Sequence, residues 1–288
     1  MEKYSRQLLV LGLDLQLKLR ELKITIVGCG ALGSALAELL TRLGVGQIKI
    51  IDADIVEVSN LHRTHLFDEN DVGKPKVLAC AEKLRRINSD VKIFPVTDII
   101  TKENVEELIK GSDYVFDALD NLYYRLLLND ACVKLNIPLI YGGIMGEYAS
   151  AKLVIPKISA CLSCFMSYEG SDENACETVG TLDTVVDVIT GIQVQLMLNH
   201  LRGIENGEYL YYVDMRSLRV DKVLIKRNER CEACSLGEYK YLKFNFPLNC
   251  GLRIVKTDYD GDSIRIEKDD NSFIICYPYG KCFKKVSH

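Results

Sequence analysis

Short apolar runs alternate along the chain with longer stretches whose apolar positions recur every three or four residues. Residues 23–27, 47–52, 92–96, 114–119 and 138–141 read as buried strands, and 31–43, 74–87, 102–110 and 121–135 as helices between them. The first twenty residues have helical spacing and predict one or two short helices. Buried strand alternating with helix predicts a Rossmann-like, doubly wound α/β fold whose N-terminal half is a parallel sheet. After Gly143 the texture changes. "ASAKLVI" predicts an antiparallel strand, 159–184 a long polar loop, 184–201 a buried helix, and "YLYYVDMRSLRVDKVLIKR" two more strands. Beyond about Leu236, short β runs separated by the acidic turns "YDGD" and "KDDNS" predict a small β extension. The expected division is therefore 1–235 for the main domain and 236–288 for the extension.

Composition narrows the function classes more than it names one. With 288 residues, 48% of them apolar, the chain can bury a large core without disulfide staples. A net charge of −4 with no basic stripe argues against a nucleic-acid footprint, and "EKLRR" reads as a solvated helix face. The most apolar helix carries Asp187, Gln193, Gln195 and Asn199, so it predicts a core helix and no membrane span. Glu2, Lys3 and Arg6 precede only a short apolar stretch, which argues against a secretory leader and for a cytoplasmic protein. Eleven cysteines are many for such a protein. Four form two Cys-x-x-Cys pairs, Cys161 with Cys164 and Cys231 with Cys234, separated by 66 residues. That spacing predicts a structural zinc site with four thiolate ligands, with disulfides or a redox dithiol as the competing readings.

The chemistry begins at "IVGCGALG". Gly28, Gly30 and Gly33 follow a strand and open a helix, and Asp52 lies 19 residues beyond Gly33 at the end of the second strand. The glycines allow a tight turn, phosphate approach and close helix packing, while the acid can accept from ribose hydroxyls. This pattern alone does not distinguish NAD, FAD, S-adenosylmethionine or ATP. A helix N-terminus supplies about half a positive charge, too little for a triphosphate without side-chain cations and a metal. "SNLHR" offers Asn60 and Arg63, "GKPK" offers Lys74 and Lys76, and "ALDN" offers Asp120 and Asn121, all near the carboxyl ends of strands. Arg63, Lys76 and Asp120 are expected to converge on one anionic ligand. Taken singly, Arg63 and Lys76 read as surface charges and Asp120 as a helix N-cap.

Together "YSRQ" (4–7), "IVGCGALG" (26–33), "IIDADIVEVSNLHR" (50–63), "VGKPK" (72–76), "DALDN" (117–121) with Arg125, and the two cysteine pairs resemble the MoeB/ThiF group of ubiquitin-activating-type enzymes. The resemblance runs from about Lys3 to Cys234. It implies ATP-dependent adenylation of the C-terminal Gly-Gly carboxylate of a small ubiquitin-fold sulfur carrier or modifier, with release of pyrophosphate. It further implies Gly28, Gly30, Ala31 and Gly33 at the nucleotide, Asp52 on its ribose, and Ser59, Asn60, Leu61, Arg63 and Lys76 at the phosphates. Asp120 and Asn121 would serve Mg2+ and ATP, and Arg6 would reach the active site of the partner subunit in a homodimer. Cys176, in "NACETVG", matches a cysteine that accepts an acyl or persulfide group, although "GTLDTVVD" just after it departs from the family pattern. A sulfurtransferase is the further partner that sulfur chemistry implies. Cys29, Cys80 and Cys132 read as packing residues; for Cys250, Cys276 and Cys282 a core place, a redox handle and a carrier contact all stay open. An NAD-dependent oxidoreductase, a non-catalytic ATP-binding scaffold and adenylation of a different carboxylate are the rival functions.

Overall fold

The computed structural model describes residues 2–168, 180–244, 251–255, 259–269 and 272–286. Two short helices, α1 (Ser5–Leu11) and α2 (Leu13–Glu21), lead into β1 (Lys23–Val27), α3 (Ala31–Leu43) and β2 (Gln47–Ile51). Then follow α4 (Lys76–Ile87), β3 (Lys92–Val96), α5 (Val105–Ile109), β4 (Tyr114–Asp117), α6 (Leu122–Leu135) and β5 (Leu139–Met145). The remainder of the main sheet is β6 (Tyr148–Val154), β7 (Tyr209–Asp214) and β8 (Arg219–Leu224), with α7 (Asp183–Leu201) before β7. Strand order is β3-β2-β1-β4-β5-β6-β7-β8. The pairs from β3 to β5 are parallel and those from β5 to β8 antiparallel. The predicted Rossmann-like sheet is therefore present, and its antiparallel half starts at β6.

Sequence dictates the layering. The four residues of β4 are all buried, as are Ile24 to Val27 of β1, because helices cover both faces. One core lies under α3, α4 and α7 and includes Leu36, Leu40, Ile189 and Met197. The other lies under α5 and α6 and includes Val115, Leu126, Leu127 and Val133. That second core also takes in Tyr241 of α8 (Lys240–Lys243), whose amide donates to Asp130 at 3.0 Å. Several element ends retract from their sequence limits. The fourth helix starts at Lys76 instead of residue 74, and α5 is shorter than 102–110. Pro75 explains the first, since it disfavours helical backbone at Lys74.

Beyond α8 lies a second, antiparallel sheet of order β10-β11-β12-β9, from β9 (Gly251–Val255), β10 (Arg265–Asp269), β11 (Ser272–Cys276) and β12 (Cys282–Val286). Cys276 and Cys282 face each other across β11 and β12 and form a disulfide. Both are buried in this small sheet. Cys250, which the sequence left open with them, falls outside the described residues. Cys29, Cys80 and Cys132 are fully buried free thiols, as packing residues should be. No helix among the described residues is long and apolar enough to cross a membrane.

Candidate functional site

The glycine loop lies at the switch point of the sheet, where β1 is flanked by β2 on one side and β4 on the other. Gly28 has φ +100°, and a Cβ there would stand 2.5 Å from the Ala118 carbonyl oxygen. A Cβ on Gly33 would meet the Gly28 carbonyl oxygen at 2.0 Å, so the loop and α3 close only with glycine. At Gly30 an added Cβ would meet open space, which leaves that face of the loop free for a ligand. Asp52 takes both loop and strand end in hand: its carboxylate accepts from the Cys29 amide at 2.6 Å and the Asp54 amide at 2.8 Å. Burial raises its carboxyl above the usual range, against the pull of Lys76.

Lys76 arrives by a short backbone pairing. The Val56 amide donates to the Lys74 carbonyl and the Gly73 amide to the Val56 carbonyl, each at 2.9 Å, and Ile55 bridges Pro75. The Lys76 amide then donates to the Asp54 carbonyl at 2.9 Å, which fixes the first turn of α4 beside the end of β2. Its ammonium consequently lies 2.7 Å from Asp54 Oδ2, with both side chains 9% exposed. Burial opposes charge on Lys76, but Asp54 and Asp52 outweigh it and hold its pKa above the ordinary value. Burial likewise works upward on Asp54, and Lys76 and Lys285 reverse it, keeping that carboxyl below the ordinary range.

The other sequence candidates fall in different places. Asn60 is buried and closes a capping box, its side chain accepting from the Glu57 amide at 3.2 Å. Ser59 is exposed and Leu61 half-buried in the same turn. Arg63 folds back on that turn, donating to the Ser59 carbonyl at 2.7 Å and lying 2.8 Å from His62 Nε2. It is half-exposed. Asp120 is exposed at the turn between β4 and α6. The cap of α6 is Asn121, whose Oδ1 accepts from the Tyr123 and Tyr124 amides at 2.9 and 3.3 Å. Asp120 is thus spared the capping duty that its position suggested.

Arg6 is exposed on α1, far from the loop on its own chain. Gln7 donates to the Leu43 carbonyl, and Tyr4 packs at Gly44, so α1 lies at the C-terminal end of α3 while the glycine loop opens its N-terminal end. Thirteen residues of helix, about 20 Å, separate the two ends. Cys176 lies outside the described residues.

Sequence reasoning missed three contributors. Asp54 escaped because Asp52 satisfied the ribose pattern two residues earlier. Arg125 appeared only as part of a motif, yet it is a buried anchor. It donates to Asp117 Oδ2 at 3.1 Å and to the Gly142 and Leu119 carbonyls, and lies over the Tyr141 ring at 5.0 Å. Lys285, from β12, reaches the same Asp54 oxygen as Lys76, at 3.1 Å, and no local signal announces a contact across 231 positions.

The four paired cysteines form a second centre. Their sulfurs lie within 4.8 Å of one another, with Cys161 3.6 Å from Cys231 and Cys164 3.5 Å from Cys234. Tetrahedral zinc with metal–sulfur bonds of about 2.3 Å places sulfurs about 3.8 Å apart, so the donor set fits. The Asn228 amide approaches Cys164 Sγ at 3.5 Å, and hydrogen bonds from Cys161 and Cys231 pull the Cys164 thiol down to about 6.

A profile of the ThiF family matches residues 4–233. The chain is 38% identical over 248 residues to the sulfur carrier protein ThiS adenylyltransferase of Bacillus subtilis, covering 84% of this chain and 74% of the relative. It is 33% identical over 245 residues to the SAMP-activating enzyme E1 of Haloferax volcanii, covering 82% and 90%. Among solved structures, Escherichia coli MccB with ATP superposes with a TM-score of 0.72 at 24% identity over 81% of this chain and 74% of that one, a likeness of fold. The strand-end motifs, the cysteine pairs and these matches agree: the chain belongs to the ThiF family.

Proposed function

We propose that the chain adenylates the C-terminal Gly-Gly carboxylate of a small ubiquitin-fold sulfur carrier or modifier, using ATP and releasing pyrophosphate. The observation that carries this reading is the buried Lys76–Asp54 pair set against a ribose-type acid, Asp52, at the mouth of the glycine loop. A carrier carboxylate oxygen bonds to the α-phosphorus, the bond from that phosphorus to the bridging oxygen breaks, and pyrophosphate leaves with the electron pair. Attack of one anion on another needs preorganised positive charge, which Lys76 provides. In this reading Gly28, Gly30, Ala31 and Gly33 line the nucleotide and Asp52 accepts from its ribose. Ser59, Asn60, Leu61 and Arg63 border the phosphates, with Arg63 turning outward from Ser59 to meet them. Asp120, with Asn121 beside it, would hold Mg2+, which supplies charge neutralisation on the triphosphate. The four cysteines would hold a structural Zn2+.

The chain acts as a homodimer in this account, with Arg6 serving the partner subunit's site. Leu9, Val10, Leu13 and Leu17, all exposed on α1 and α2, support such a contact. Cys176 would take the acyl group from the carrier adenylate as a thioester, displacing AMP, or would take sulfane sulfur from the persulfide of a sulfurtransferase, releasing that donor's thiol. The pathway would be cytoplasmic sulfur transfer to molybdopterin, thiamine or tRNA, or protein conjugation. ATP–pyrophosphate exchange with Gly-Gly-tailed small proteins tests the reading. Exchange that depends on the intact Gly-Gly tail is expected; absence of exchange with every ubiquitin-fold protein of the source organism would overturn it.

A further inference from the structure

The C-terminal sheet is seated on the carboxyl ends of the strands that carry the nucleotide motifs. Phe273, Ile275, Tyr277 and Phe283 share a buried cluster with Ala53 and Ile55. Tyr277 Oη donates to the Ala53 carbonyl at 2.9 Å, next to Asp52 and Asp54. Tyr279 donates to the Thr97 carbonyl and Lys281 pairs with Asp98, both just past β3. On the far side, Tyr124 of α6 donates to the Leu252 carbonyl of β9 at 3.1 Å. The sheet thus spans from the end of β2 to the start of α6. The family match ends at residue 233, 52 positions before Lys285, so nothing in that match assigns this sheet a role.

From this sheet Lys285 enters the site. Its ammonium lies 3.1 Å from Asp54 Oδ2 and 2.6 Å from Glu57 Oε1, with the side chain 18% exposed and the ammonium 5.3 Å from the Phe273 ring centroid. One carboxylate oxygen of Asp54 therefore receives two ammoniums, Lys76 and Lys285. That duplication matters when a phosphate arrives. In the adenylation reading Lys76 turns from Asp54 toward the phosphate, and a buried carboxylate stripped of its only cation is strongly unfavourable. A second cation already in contact removes that obstacle.

We propose that Lys285 is a positioning residue of the nucleotide site: by holding Asp54 and Glu57, it frees Lys76 to move onto a phosphate of bound ATP. The inference rests on the adenylation reading above and adds to it a residue from outside the matched domain. It gives the C-terminal sheet a definite task, which is to carry a counter-cation to a buried acid.

The test uses the full chain and two readouts, ATP binding by calorimetry and pyrophosphate exchange. Lys285→Met should weaken ATP binding and slow exchange at least tenfold, and Lys285→Arg should recover most of both. In an Asp54→Asn background, where the acid no longer needs a counter-cation, adding Lys285→Met should cost less than a further threefold. A further loss as large as that of Lys285→Met alone would show that Lys285 acts independently of Asp54 and would overturn the proposal. Tyr277→Phe loosens the sheet and leaves the charge in place; a loss equal to that of Lys285→Met would assign the effect to seating alone and overturn it too. If the unmodified chain binds ATP but exchanges no pyrophosphate with any carrier, the adenylation reading fails while ATP affinity still decides the role of Lys285. If exchange is normal and Lys285→Met matches the unmodified chain in both readouts, the inference fails alone. An unmodified chain that binds no ATP removes both.

Discussion

The cysteine cluster and the charged cluster at the strand ends do the same topological work by opposite means. Each ties distant segments together: Cys161 and Cys164 to Cys231 and Cys234 in one, Asp54 to Lys76 and Lys285 in the other. The thiols are four like groups whose ionised forms repel one another, so the cluster could hold a cation from outside. At the strand ends, the acids are matched by lysines of the chain itself: Lys76 pairs with Asp54, and Lys285 is shared between Asp54 and Glu57. A set of thiols with no cation of the chain among them suits a metal ion brought from outside. A set in which one lysine is shared between two acids lets the other lysine turn to an incoming anion.

Breaking the first centre should have the largest effect. Cys231→Ser is expected to abolish zinc content and to lower stability by several kcal/mol, since structural zinc contributes on the order of 10 kcal/mol in small domains. Metal analysis with a thermal melt checks this, and unchanged zinc with an unchanged melt would return the cluster to plain thiol packing. Next comes Lys76→Met. It should slow pyrophosphate exchange about 10²- to 10³-fold, the scale of losing one preorganised cation or donor, while Lys285 keeps Asp54 paired and the fold intact. Steady-state exchange beside a melting curve separates these effects, and a collapsed melt would mean that Lys285 does not suffice for Asp54.

The smallest difference is one of pH. Burial raises the Asp130 carboxyl, beside the cysteine centre, to about 7, whereas the lysines hold Asp54 below its ordinary range. Between about pH 4 and pH 7 the folded chain retains a proton on Asp130 that the unfolded chain has lost, so its contribution to stability falls as pH rises through that window. Asp54 has the reverse sign: its contribution is present above about pH 4 and is lost on acidification through its lowered folded value. Denaturant titrations of Asp130→Asn should therefore show a flatter pH dependence between about pH 4 and 7 than the unmodified chain. An identical slope would show that Asp130 does not titrate there.

How much of this was legible beforehand follows from distance along the chain. The glycine loop, Asp52, Lys76 and the cysteine pairs each announce themselves within a few residues of a motif, and the alternation of runs was enough to place the parallel strands. What was not legible depends on tertiary approach. Arg63 satisfies the spacing of a phosphate residue, yet its guanidinium folds back on the Ser59 carbonyl. Asp120 and Asn121 are adjacent and both can cap; only the backbone turn selects Asn121. Lys285 lies in a segment of short β runs with no motif, and it acquires meaning only because Tyr277 and its apolar neighbours dock on Ala53 and Ile55.

The central claim is that these lysines and acids hold ATP in order to activate a carboxylate. Pyrophosphate exchange into ATP, measured with a Gly-Gly-tailed ubiquitin-fold protein and with the same protein lacking its terminal glycine, tests it most directly. The account predicts exchange with the intact carrier, none with the truncated one, and none after Asp120→Ala. Exchange indifferent to the carrier's tail, or binding of a nicotinamide dinucleotide with no binding of ATP, would contradict it.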